Sequence, residues 1–280
     1  MDKNNFSEPV VDPVGLDALG STEICFSVPE SYNASAVLFD NLSAGRGTNI
    51  ALHSGDLRLS YAALCALSCQ AGNALVRTGL ARSDRVVMLL DDTPVYPAAF
   101  FGAVRAGFVP VLVNTLSPAE LVQYYIEDSS AEIVIAESNL LPVLSEALEN
   151  GADIRLVVVA NGEQPETFPV ATVSWDDFVS QELPELAAAD THRDDMAFWM
   201  YSSGSTGRPK GIVHLQHDMP YTHLSYAEHV LKLTENDIVY SVPKIFFAYG
   251  FGNAVTFPFS VGAAVVLASG RPEPWPIYDV

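Results

Sequence analysis

Short apolar runs alternate with longer amphipathic ones between residues 57 and 180, and this alternation constrains the fold more than any other feature of the sequence. The apolar runs have no polar side, which is typical of strands that are buried on both faces of a sheet. We therefore predict an α/β fold in which mainly parallel sheets are covered by helices on both sides. The predicted elements are a helix in 60–80, a strand in 84–90, a helix in 94–107, a strand in 109–114, a helix in 117–129, a strand in 131–137, a helix in 141–150 and a strand in 154–160.

Residue types at the ends of two predicted helices support this assignment. Ser60 is suited to cap the first helix, because its hydroxyl can accept a hydrogen bond from a free backbone N–H, and Gly79 is suited to follow its last turn. Ser117, followed by Pro118 and then by Glu120, matches the capping-box pattern at the start of another helix. These positions predict where the helices begin and end.

Changes in composition divide the chain into four predicted segments. Residues 1–56 form an irregular lead-in with one short helix, and 57–180 form a first α/β subdomain. Residues 181–195 are acidic and poorly periodic, so they indicate a surface connection. A second α/β subdomain over 196–280 begins with the strand MAFWMYS and holds a helix over roughly 221–233.

The charge balance limits the partners of the chain. Lys and Arg number 14 against 34 Asp and Glu, which gives a formal net charge of -20. Because no basic cluster is present, we expect neither a nucleic-acid nor a membrane partner. The beginning of the sequence has no secretory signal pattern, and the longest apolar stretch, 254–268, is interrupted and too short to span a bilayer. We expect a cytoplasmic protein and leave a homodimer open.

A strip of small, hydroxylic and basic residues, YSSGSTGRPKGIVH, occupies residues 201–214 directly after an apolar run. Its glycines, at 204, 207 and 211, let the backbone adopt positive φ and bring N–H groups close to a ligand. Hydroxyl side chains add hydrogen-bond donors, and Lys210 adds a point charge suited to phosphate oxygens. Flexible surface turns have a similar composition, but the preceding strand and Pro209 favour a polyphosphate site. We call residues 202–210 the phosphate strip.

Two common nucleotide-binding motifs are excluded by their spacing. A P-loop needs a glycine directly before its lysine and a hydroxyl directly after it, whereas Pro209 precedes Lys210 and Gly211 follows it. The dinucleotide fingerprint G-x-G-x-x-G would begin at residues 250–252, but Val255 stands where its third glycine belongs. The phosphate strip therefore indicates another class of nucleotide-using protein.

YSSGSTGRPKGIVH resembles the signature loop of the adenylate-forming superfamily, which includes acyl- and aryl-CoA ligases, luciferases and the adenylation domains of peptide synthetases. Three further stretches resemble motifs of this superfamily in the same order: LRLSYAAL at 57–64, FFGAVRAGFVPVLVN at 100–114 and KIFFAYGFGN at 244–253. Together they span about residues 55–268. Within the superfamily, PVYPAAFFGAVRAGFVPVLVNTLSP and KIFFAYGFGN most resemble benzoate-type CoA ligases.

The resemblance implies an AMP-forming acid-thiol ligase that uses ATP, Mg²⁺ and coenzyme A. An aromatic, benzoate-like carboxylate would attack the α-phosphate of Mg-ATP to give an acyl-adenylate and pyrophosphate, and the thiol of coenzyme A would then displace AMP. Lys210 would be catalytic through positioning and charge stabilisation, without transferring a proton. The residues implied to bind the ATP phosphates are Ser202, Ser203, Gly204, Ser205, Thr206, Gly207 and Lys210.

The same resemblance places the aromatic run KIFFAYGFGN beside the pocket for the acid. A flat aromatic acid fits between flat apolar walls that are separated by small residues. The residues implied to contact the acid are Phe247, Ala248, Tyr249 and Gly250. Aromatic runs at the start of a helix are also typical of an ordinary core, but the position after the phosphate strip favours the pocket.

Members of this superfamily usually continue for about as long again beyond the region that these motifs cover. That part would carry a magnesium-binding glutamate, an aspartate that holds the ribose of ATP, a hinge and a lysine that contacts the substrate carboxylate. We therefore expect the chain to be the N-terminal part of a ligase, with little or no adenylation activity by itself. Two alternatives stay open: a non-catalytic nucleotide- or acid-binding module, and an adenylating enzyme for another carboxylic acid or for a carrier-protein thiol.

Other reactive side chains predict no metal or acid–base site. Cys65 and Cys69 have helical spacing on an apolar face and predict buried thiols, with Cys25 as an odd third cysteine. The histidines near the phosphate strip fall on different sides of their elements, so we interpret them as neutral or exposed; they are His214, His217, His223 and His229. The acidic pairs 91–92 and 194–195 are interpreted as solvated turn residues.

Overall fold

The computed structural model describes residues 27–202 and 207–271 and confirms the predicted α/β fold. The strands in this part of the chain are β1 Ile50–Ser54, β2 Leu57–Ser60, β3 Arg85–Leu89, β4 Val109–Leu112, β5 Ile133–Glu137, β6 Leu156–Ala160, β7 Ala171–Ser174, β8 Met196–Ser202, β9 Lys210–Leu215, β10 Ile238–Tyr240 and β11 Ala264–Val266. The α-helices are α1 Ala36–Ser43, α2 Tyr61–Arg77, α3 Val95–Ala106, α4 Ala119–Ser129, α5 Leu141–Glu149, α6 Trp175–Ser180, α7 Asp218–Thr222, α8 Ala248–Phe251 and α9 Phe257–Val261. A 3₁₀ turn covers Ser138–Leu140, and π-helical segments cover His223–Leu231 and Gly252–Thr256.

The larger sheet has seven strands in the order β7-β6-β5-β3-β4-β8-β9. Its neighbouring strands are parallel, except that β8 and β9 are antiparallel. Successive side chains of a strand point to opposite faces, so Val86 and Met88 of β3 join the core formed with α2 and α3, whereas Val87 and Leu89 join the core formed with α4 and α5. Both faces of the sheet are therefore buried, which explains why its central strands are apolar throughout.

The smaller sheet has four strands in the order β10-β11-β1-β2. β1 and β2 form an antiparallel hairpin, and β11 lies parallel to β1 with Leu52 opposite Val265. β10 pairs with β11 in the parallel direction. The described part of the predicted lead-in 1–56 thus holds both α1 and β1. β1 pairs with β11, which lies near the other end of the described chain.

Strand pairing does not stop at the predicted boundaries between subdomains. β8 follows the predicted connection 181–195, yet it pairs with β4, with Val111 opposite Trp199. The connection lies against α3, where the Nε of Arg105 donates a hydrogen bond of 2.6 Å to the carbonyl of Leu186. One continuous sheet therefore carries the strands on both sides of the connection.

The predicted cap of α2 is confirmed. The hydroxyl of Ser60 accepts a hydrogen bond of 3.2 Å from the backbone N–H of Ala63. The helix ends at Arg77, and Gly79, just beyond it, has a φ of +81°. A positive φ is easily adopted by glycine because it has no Cβ, so the chain can turn away from the helix axis at this residue.

The predicted capping box of α4 is wrong. The helix begins at Ala119. Pro118 therefore occupies the capping position that was predicted for Ser117, and not the first helical position that was predicted for Pro118 itself. Ser117 is buried, and its hydroxyl lies 3.4 Å from the hydroxyl of Tyr125. Because that hydroxyl is used inside the core, it does not cap the helix.

Two glycines allow α2 and α3 to pack with their backbones in contact. A Cβ at Gly102 would lie 2.5 Å from the carbonyl oxygen of Ser68, and a Cβ at Gly72 would lie 2.7 Å from the carbonyl oxygen of Gly102. Real Cβ atoms do not approach a backbone oxygen so closely in a well-packed interior. Residues at these two positions therefore have to be small for the helices to meet as they do.

Cys65 and Cys69 are buried, as predicted, and burial raises the pKa of the Cys65 thiol to about 12. The thiol therefore stays protonated at neutral pH and behaves as a small apolar group. Cys25 lies outside the described residues. Every helix in the described chain falls short of the length and apolarity that crossing a bilayer would require.

Candidate active site

The phosphate strip connects the two antiparallel strands β8 and β9. Ser202, the last residue of β8, lies opposite Lys210, the first residue of β9, so both ends of the strip meet. Gly207 has a φ of +91°, the conformation that glycine was predicted to allow there, whereas Gly211 lies within β9 and has no positive φ. The remaining predicted phosphate-binding residues lie outside the described residues; they are Ser203, Gly204, Ser205 and Thr206.

Helix α4 holds both sides of the strip in place. The hydroxyl of Tyr124 donates a hydrogen bond of 3.0 Å to the carbonyl of Pro209. The hydroxyl of Tyr201, next to the start of the strip, donates one of 2.8 Å to Asp128 Oδ2. The guanidinium of Arg208 lies 5.6 Å from the centre of the Tyr124 ring, within the range of a cation–π interaction.

The tyrosines of this support also pack against one another. The rings of Tyr125 and Tyr201 are 4.4 Å apart, and those of Tyr124 and Tyr201 are 6.2 Å apart. Burial, together with the nearby carboxylate of Asp128, raises the pKa of Tyr201 far above its usual value, so its hydroxyl remains a donor. Sequence reasoning missed these residues, because two adjacent tyrosines on an amphipathic helix look like ordinary packing.

A pocket of about 140 Å³ lies between β8, β9, α7, α8 and the segment Gly252–Thr256. We call it the β8–β9 pocket. Its apolar lining consists of Phe198, Met200, Met219, Ala248, Phe251 and Phe257, together with Gly252. Its polar lining consists of His214, Asp218, Thr222 and Thr256. The pocket is therefore mainly apolar, with its polar groups confined to a few side chains.

Aromatic rings form a continuous wall on one side of this pocket. Phe198 of β8 and His214 of β9 lie opposite each other in register, and their rings stack 4.5 Å apart with an angle of 11° between their planes. Phe251 lies 4.8 Å from the ring of Phe198 and 5.0 Å from that of Phe100 in the core behind it. Because these rings are packed from behind, the wall has a defined shape.

Asp218 organises the polar side of the pocket. Its Oδ2 lies 3.1 Å from Nδ1 of His214 and accepts a hydrogen bond of 3.1 Å from the N–H of Leu215. Its Oδ1 lies 3.3 Å from Nε2 of His217, whose Nδ1 is 3.1 Å from Asp194. Burial acts to raise the pKa of Asp218, but the hydrogen bonds from His214 and Leu215 outweigh it and lower the pKa below its usual value. The carboxylate therefore stays ionised at neutral pH.

His229 is exposed, as the sequence predicted, whereas His214, His217 and His223 are half-buried and lie beside carboxylates. His214 and His217 share the carboxylate of Asp218, and His223 lies 3.4 Å from Glu228. Within the described residues, no group of three or more His, Cys, Asp and Glu side chains is placed to hold a metal ion.

The four residues predicted to contact the acid lie in different surroundings. Ala248 lines the β8–β9 pocket, whereas the flanking Phe247 and Tyr249 are 49% and 68% exposed. Gly250 is buried, and a Cβ at this position would clash with the carbonyl oxygen of Lys244. A side chain there would push the aromatic run away from the turn that precedes α8, so glycine is required by the backbone.

The prediction that Asp91 and Asp92 are solvated turn residues is wrong for Asp92, which is 4% exposed. Nζ of Lys244 lies 2.9 Å from Asp91 and 3.8 Å from Asp92, and it donates a hydrogen bond of 2.7 Å to the carbonyl of Ala268. Asp92 also accepts a hydrogen bond of 3.1 Å from the N–H of Ile245. Burial raises the pKa of Asp92 to about 6, although Lys244 acts in the opposite direction.

These contacts join the two sheets at the start of the aromatic run. Asp91 and Asp92 follow β3 of the larger sheet, and Ala268 follows β11 of the smaller one. Lys244 connects both and stands four residues before Ala248 in the pocket wall. The sequence reasoning missed this role, because the carboxylates lie more than a hundred residues away along the chain.

The AMP-binding enzyme family matches residues 39–278 of the chain. A 4-hydroxybenzoate-CoA/benzoate-CoA ligase from Rhodopseudomonas palustris is 38% identical over 249 residues, which are 89% of this chain and 45% of the relative. A benzoate-CoA ligase from Thauera aromatica is 36% identical and matches 92% of this chain and 48% of the relative. The chain therefore spans about half the length of the curated relatives it matches.

Two solved structures of ligases have the same fold over most of the chain. An anthranilate CoA ligase in complex with anthranoyl-AMP superposes with a TM-score of 0.83 at 32% identity, covering 87% of this chain and 46% of that one. A benzoate CoA ligase from Burkholderia xenovorans superposes with a TM-score of 0.79 at 35% identity, covering 89% and 47%. The match again extends over about half of each of these proteins.

Proposed function

The chain belongs to the AMP-binding enzyme family, and from this we propose that it carries the phosphate strip and acid pocket of an enzyme that activates a benzoate-like acid with ATP. The observation that carries the proposal is the β8–β9 pocket, which is mainly apolar and lies on one face of the same two strands that the strip connects. An apolar site for a ring and a phosphate site at the ends of one strand pair would bring the two substrates together.

The proposed reaction has two steps. A carboxylate oxygen attacks the α-phosphorus of ATP, the bond to the β-phosphate breaks, and an acyl-adenylate and pyrophosphate are formed. The thiol of coenzyme A then attacks the acyl carbon, AMP leaves, and an acyl-CoA thioester remains. The protein must hold two anionic reactants together, so its main tasks are positioning and charge stabilisation.

We assign the leaving pyrophosphate to the phosphate strip. Lys210 supplies a positive charge at one end, and the neighbouring Arg208 supplies a second. In a chain with a net charge of -20, this local charge would favour an anionic ligand at the strip over the rest of the surface. The hydroxyl and backbone groups that we assign as hydrogen-bond donors to the pyrophosphate are those of Ser202, Ser203, Gly204, Ser205, Thr206 and Gly207.

We assign the acid ring to the β8–β9 pocket. Its volume of about 140 Å³ suits a single ring, since an apolar protein cavity of about 150 Å³ is large enough to bind benzene. Ala248 leaves room beside the aromatic wall, Phe247 and Tyr249 are assigned to the rim, and Gly250 to the turn that places them. The aromatic side chains would contact the faces and edges of the ring.

The spacing along β8 supports the relative placement of the two substrates. Met200 lines the pocket, and Ser202 begins the strip two residues later. Residues on a strand advance about 3.3 Å each, so the two sites are about 7 Å apart along β8. A carboxylate on a ring in the pocket could therefore point toward the α-phosphate of a nucleotide whose end phosphates occupy the strip.

Mg²⁺ would enter with ATP and neutralise part of its charge, and no described residue is assigned to that ion. The cytoplasm supplies both ATP and coenzyme A, so we place the reaction there. A homodimer also remains part of the proposal. Acid, ATP and coenzyme A are the small-molecule partners that the reaction requires.

The function is tested by acid-dependent exchange of labelled pyrophosphate into ATP, measured on the native full-length protein. We expect exchange with benzoate and simple substituted benzoates, and consumption of coenzyme A when it is added. Exchange with aliphatic acids alone would contradict the aromatic pocket, and no exchange with any acid would favour a nucleotide-binding module. The 280-residue chain by itself is expected to release little or no pyrophosphate.

A further inference from the structure

One polar side chain stands in the aromatic wall of the β8–β9 pocket, and the described part of the fold uses only one of its two ring nitrogens. The ring of His214 stacks on Phe198 much as a phenylalanine would, with an angle of 11° between the planes. Unlike phenylalanine, it carries two nitrogens, and only Nδ1 takes part in the hydrogen bonds found within the described residues. Nε2 is therefore the group whose use the fold does not explain.

The contact with Asp218 determines the chemical character of Nε2. A carboxylate only accepts hydrogen bonds, so Nδ1 of His214 carries the proton that lies between them. In the neutral ring, Nε2 then has a free lone pair and acts as an acceptor. The N–H of Leu215 also donates to Asp218, which keeps this carboxylate in place and so maintains the orientation of the ring.

The position of His214 relative to the phosphate strip indicates which end of a bound acid it would meet. It lies four residues after Lys210 on β9, a distance of about 13 Å along the strand. A ring whose carboxylate points toward the strip would therefore present its far edge, with positions 3 and 4, toward His214. Thr222 also lines the pocket, but its hydroxyl already donates a hydrogen bond of 2.9 Å to the carbonyl of Met219.

We propose that His214 is a specificity-determining residue that accepts a hydrogen bond from a hydroxyl group at ring position 3 or 4, so that hydroxybenzoates are preferred over benzoate. This inference rests on the proposed function, since it assumes that the acid ring occupies the β8–β9 pocket. It adds to that function a residue and a substrate class: an aromatic acid with a ring hydroxyl that can donate.

The first test compares acids on the unaltered full-length protein and needs no variant. The values of kcat/KM in pyrophosphate exchange are measured for benzoate and for its 3- and 4-hydroxy and 3- and 4-fluoro derivatives, because fluorine adds bulk without a donor. We expect one hydroxybenzoate to exceed its fluoro counterpart by about tenfold, the effect of one hydrogen bond of about 1.4 kcal/mol. Equal values for the hydroxyl and fluoro acids would overturn the inference and leave the proposed function standing.

The second test replaces the residue. His214→Phe keeps a stacked ring but removes the acceptor, and we expect the ratio of hydroxybenzoate to benzoate kcat/KM to fall about tenfold. His192→Phe is the matched control: His192 also lies beside a carboxylate, 3.5 Å from Asp194, but is outside the pocket lining, and its ratio is expected not to change. Thr256→Val removes the hydroxyl of another residue that lines the pocket. An unchanged ratio in His214→Phe, or a fall in the ratio that occurs only in Thr256→Val, would overturn the assignment. Failure of the unaltered protein to activate any benzoate would refute the proposed function itself.

Discussion

Replacing Lys244 with methionine would remove an ammonium group that lies 2.9 Å from Asp91 and 3.8 Å from Asp92. Methionine is also long and flexible, so the substitution changes the charge more than the packing. Asp92 would keep the N–H of Ile245 as a hydrogen-bond donor but would lose the nearby positive charge. We expect a loss of stability that depends on pH, because the cost of the missing charge depends on whether Asp92 is ionised.

The size of the effect follows from the pKa of Asp92, which burial raises from 3.8 to about 6 even with Lys244 present. A difference of about two units corresponds to about 3 kcal/mol between the protonated and ionised forms. Because the pKa is raised on folding, this contribution to stability is fully present below about pH 4 and is lost as the pH rises through about 6. Without Lys244 the pKa would rise further, since a neighbouring positive charge favours the ionised form.

We therefore expect Lys244→Met to lower the free energy of unfolding by about 3–5 kcal/mol at pH 8, where a buried carboxylate loses its partner. At pH 5 the loss should be only about 1–2 kcal/mol, because Asp92 can take up a proton and the remaining cost is mainly that of lost hydrogen bonds. Urea unfolding followed by circular dichroism at the two pH values measures both numbers.

Two controls make the result specific. Lys232→Met, at an exposed position, should change the free energy of unfolding by less than about 0.5 kcal/mol at both pH values. Adding Asp92→Asn to Lys244→Met should remove most of the difference between pH 5 and pH 8, because no buried charge is then left unpaired. Equal destabilisation at both pH values in the single variant would refute the role assigned to Asp92.

Three further predictions concern packing and the phosphate strip. Gly102→Ala should lower the free energy of unfolding in urea by about 2–3 kcal/mol, because its Cβ would lie 2.5 Å from the carbonyl oxygen of Ser68. Gly47→Ala is the control and should have little effect, because the nearest atom to its Cβ would be 3.5 Å away. Similar losses in both variants would contradict the close helix contact. In the full-length protein, Tyr124→Phe should raise the KM for ATP about fivefold, because it removes the hydrogen bond to the carbonyl of Pro209. Tyr226→Phe is the control and should leave this KM unchanged. An unchanged KM in Tyr124→Phe would mean that this hydrogen bond does not position the strip. Lys210→Ala should lower pyrophosphate exchange about 100-fold, with Lys232→Ala unaffected, and exchange at the normal rate would remove Lys210 from the catalytic assignment.

The regular parts of the fold were predictable because their signals are local. β3 and β5 are apolar on both faces, and the helices between strands show one apolar side, so the α/β class followed from the periodicity of the sequence. The cap at Ser60 was predictable for the same reason, since a capping hydroxyl bonds to a backbone group only three residues away. Ser117 has an equally good local pattern, but a contact with Tyr125 in the core decided its role.

The phosphate strip was also visible in the sequence, because glycines, hydroxyl groups and a lysine lie within ten residues directly after a predicted strand; its binding of phosphate stays a prediction. The β8–β9 pocket was only partly visible. Ala248, which was predicted to contact the acid, lines this pocket. The stack of His214 on Phe198 depends instead on the register of two antiparallel strands. The hydrogen bond between His214 and Asp218 spans four residues, but no pattern distinguishes it from other histidine–aspartate pairs.

The sequence by itself determined the class of fold, the covered central strands and the presence of a strip rich in glycine and hydroxyl groups with a lysine, because each depends on neighbouring residues and on backbone geometry. Only the tertiary structure decided that β1 pairs with β11, that Lys244 joins Asp92 to the aromatic run, and that the pocket lies on the face of β8 and β9 that α7 and α8 cover. These features depend on which distant segments meet, and contacts of that kind arise from packing of the whole chain, to which local periodicity and composition give no direct guide.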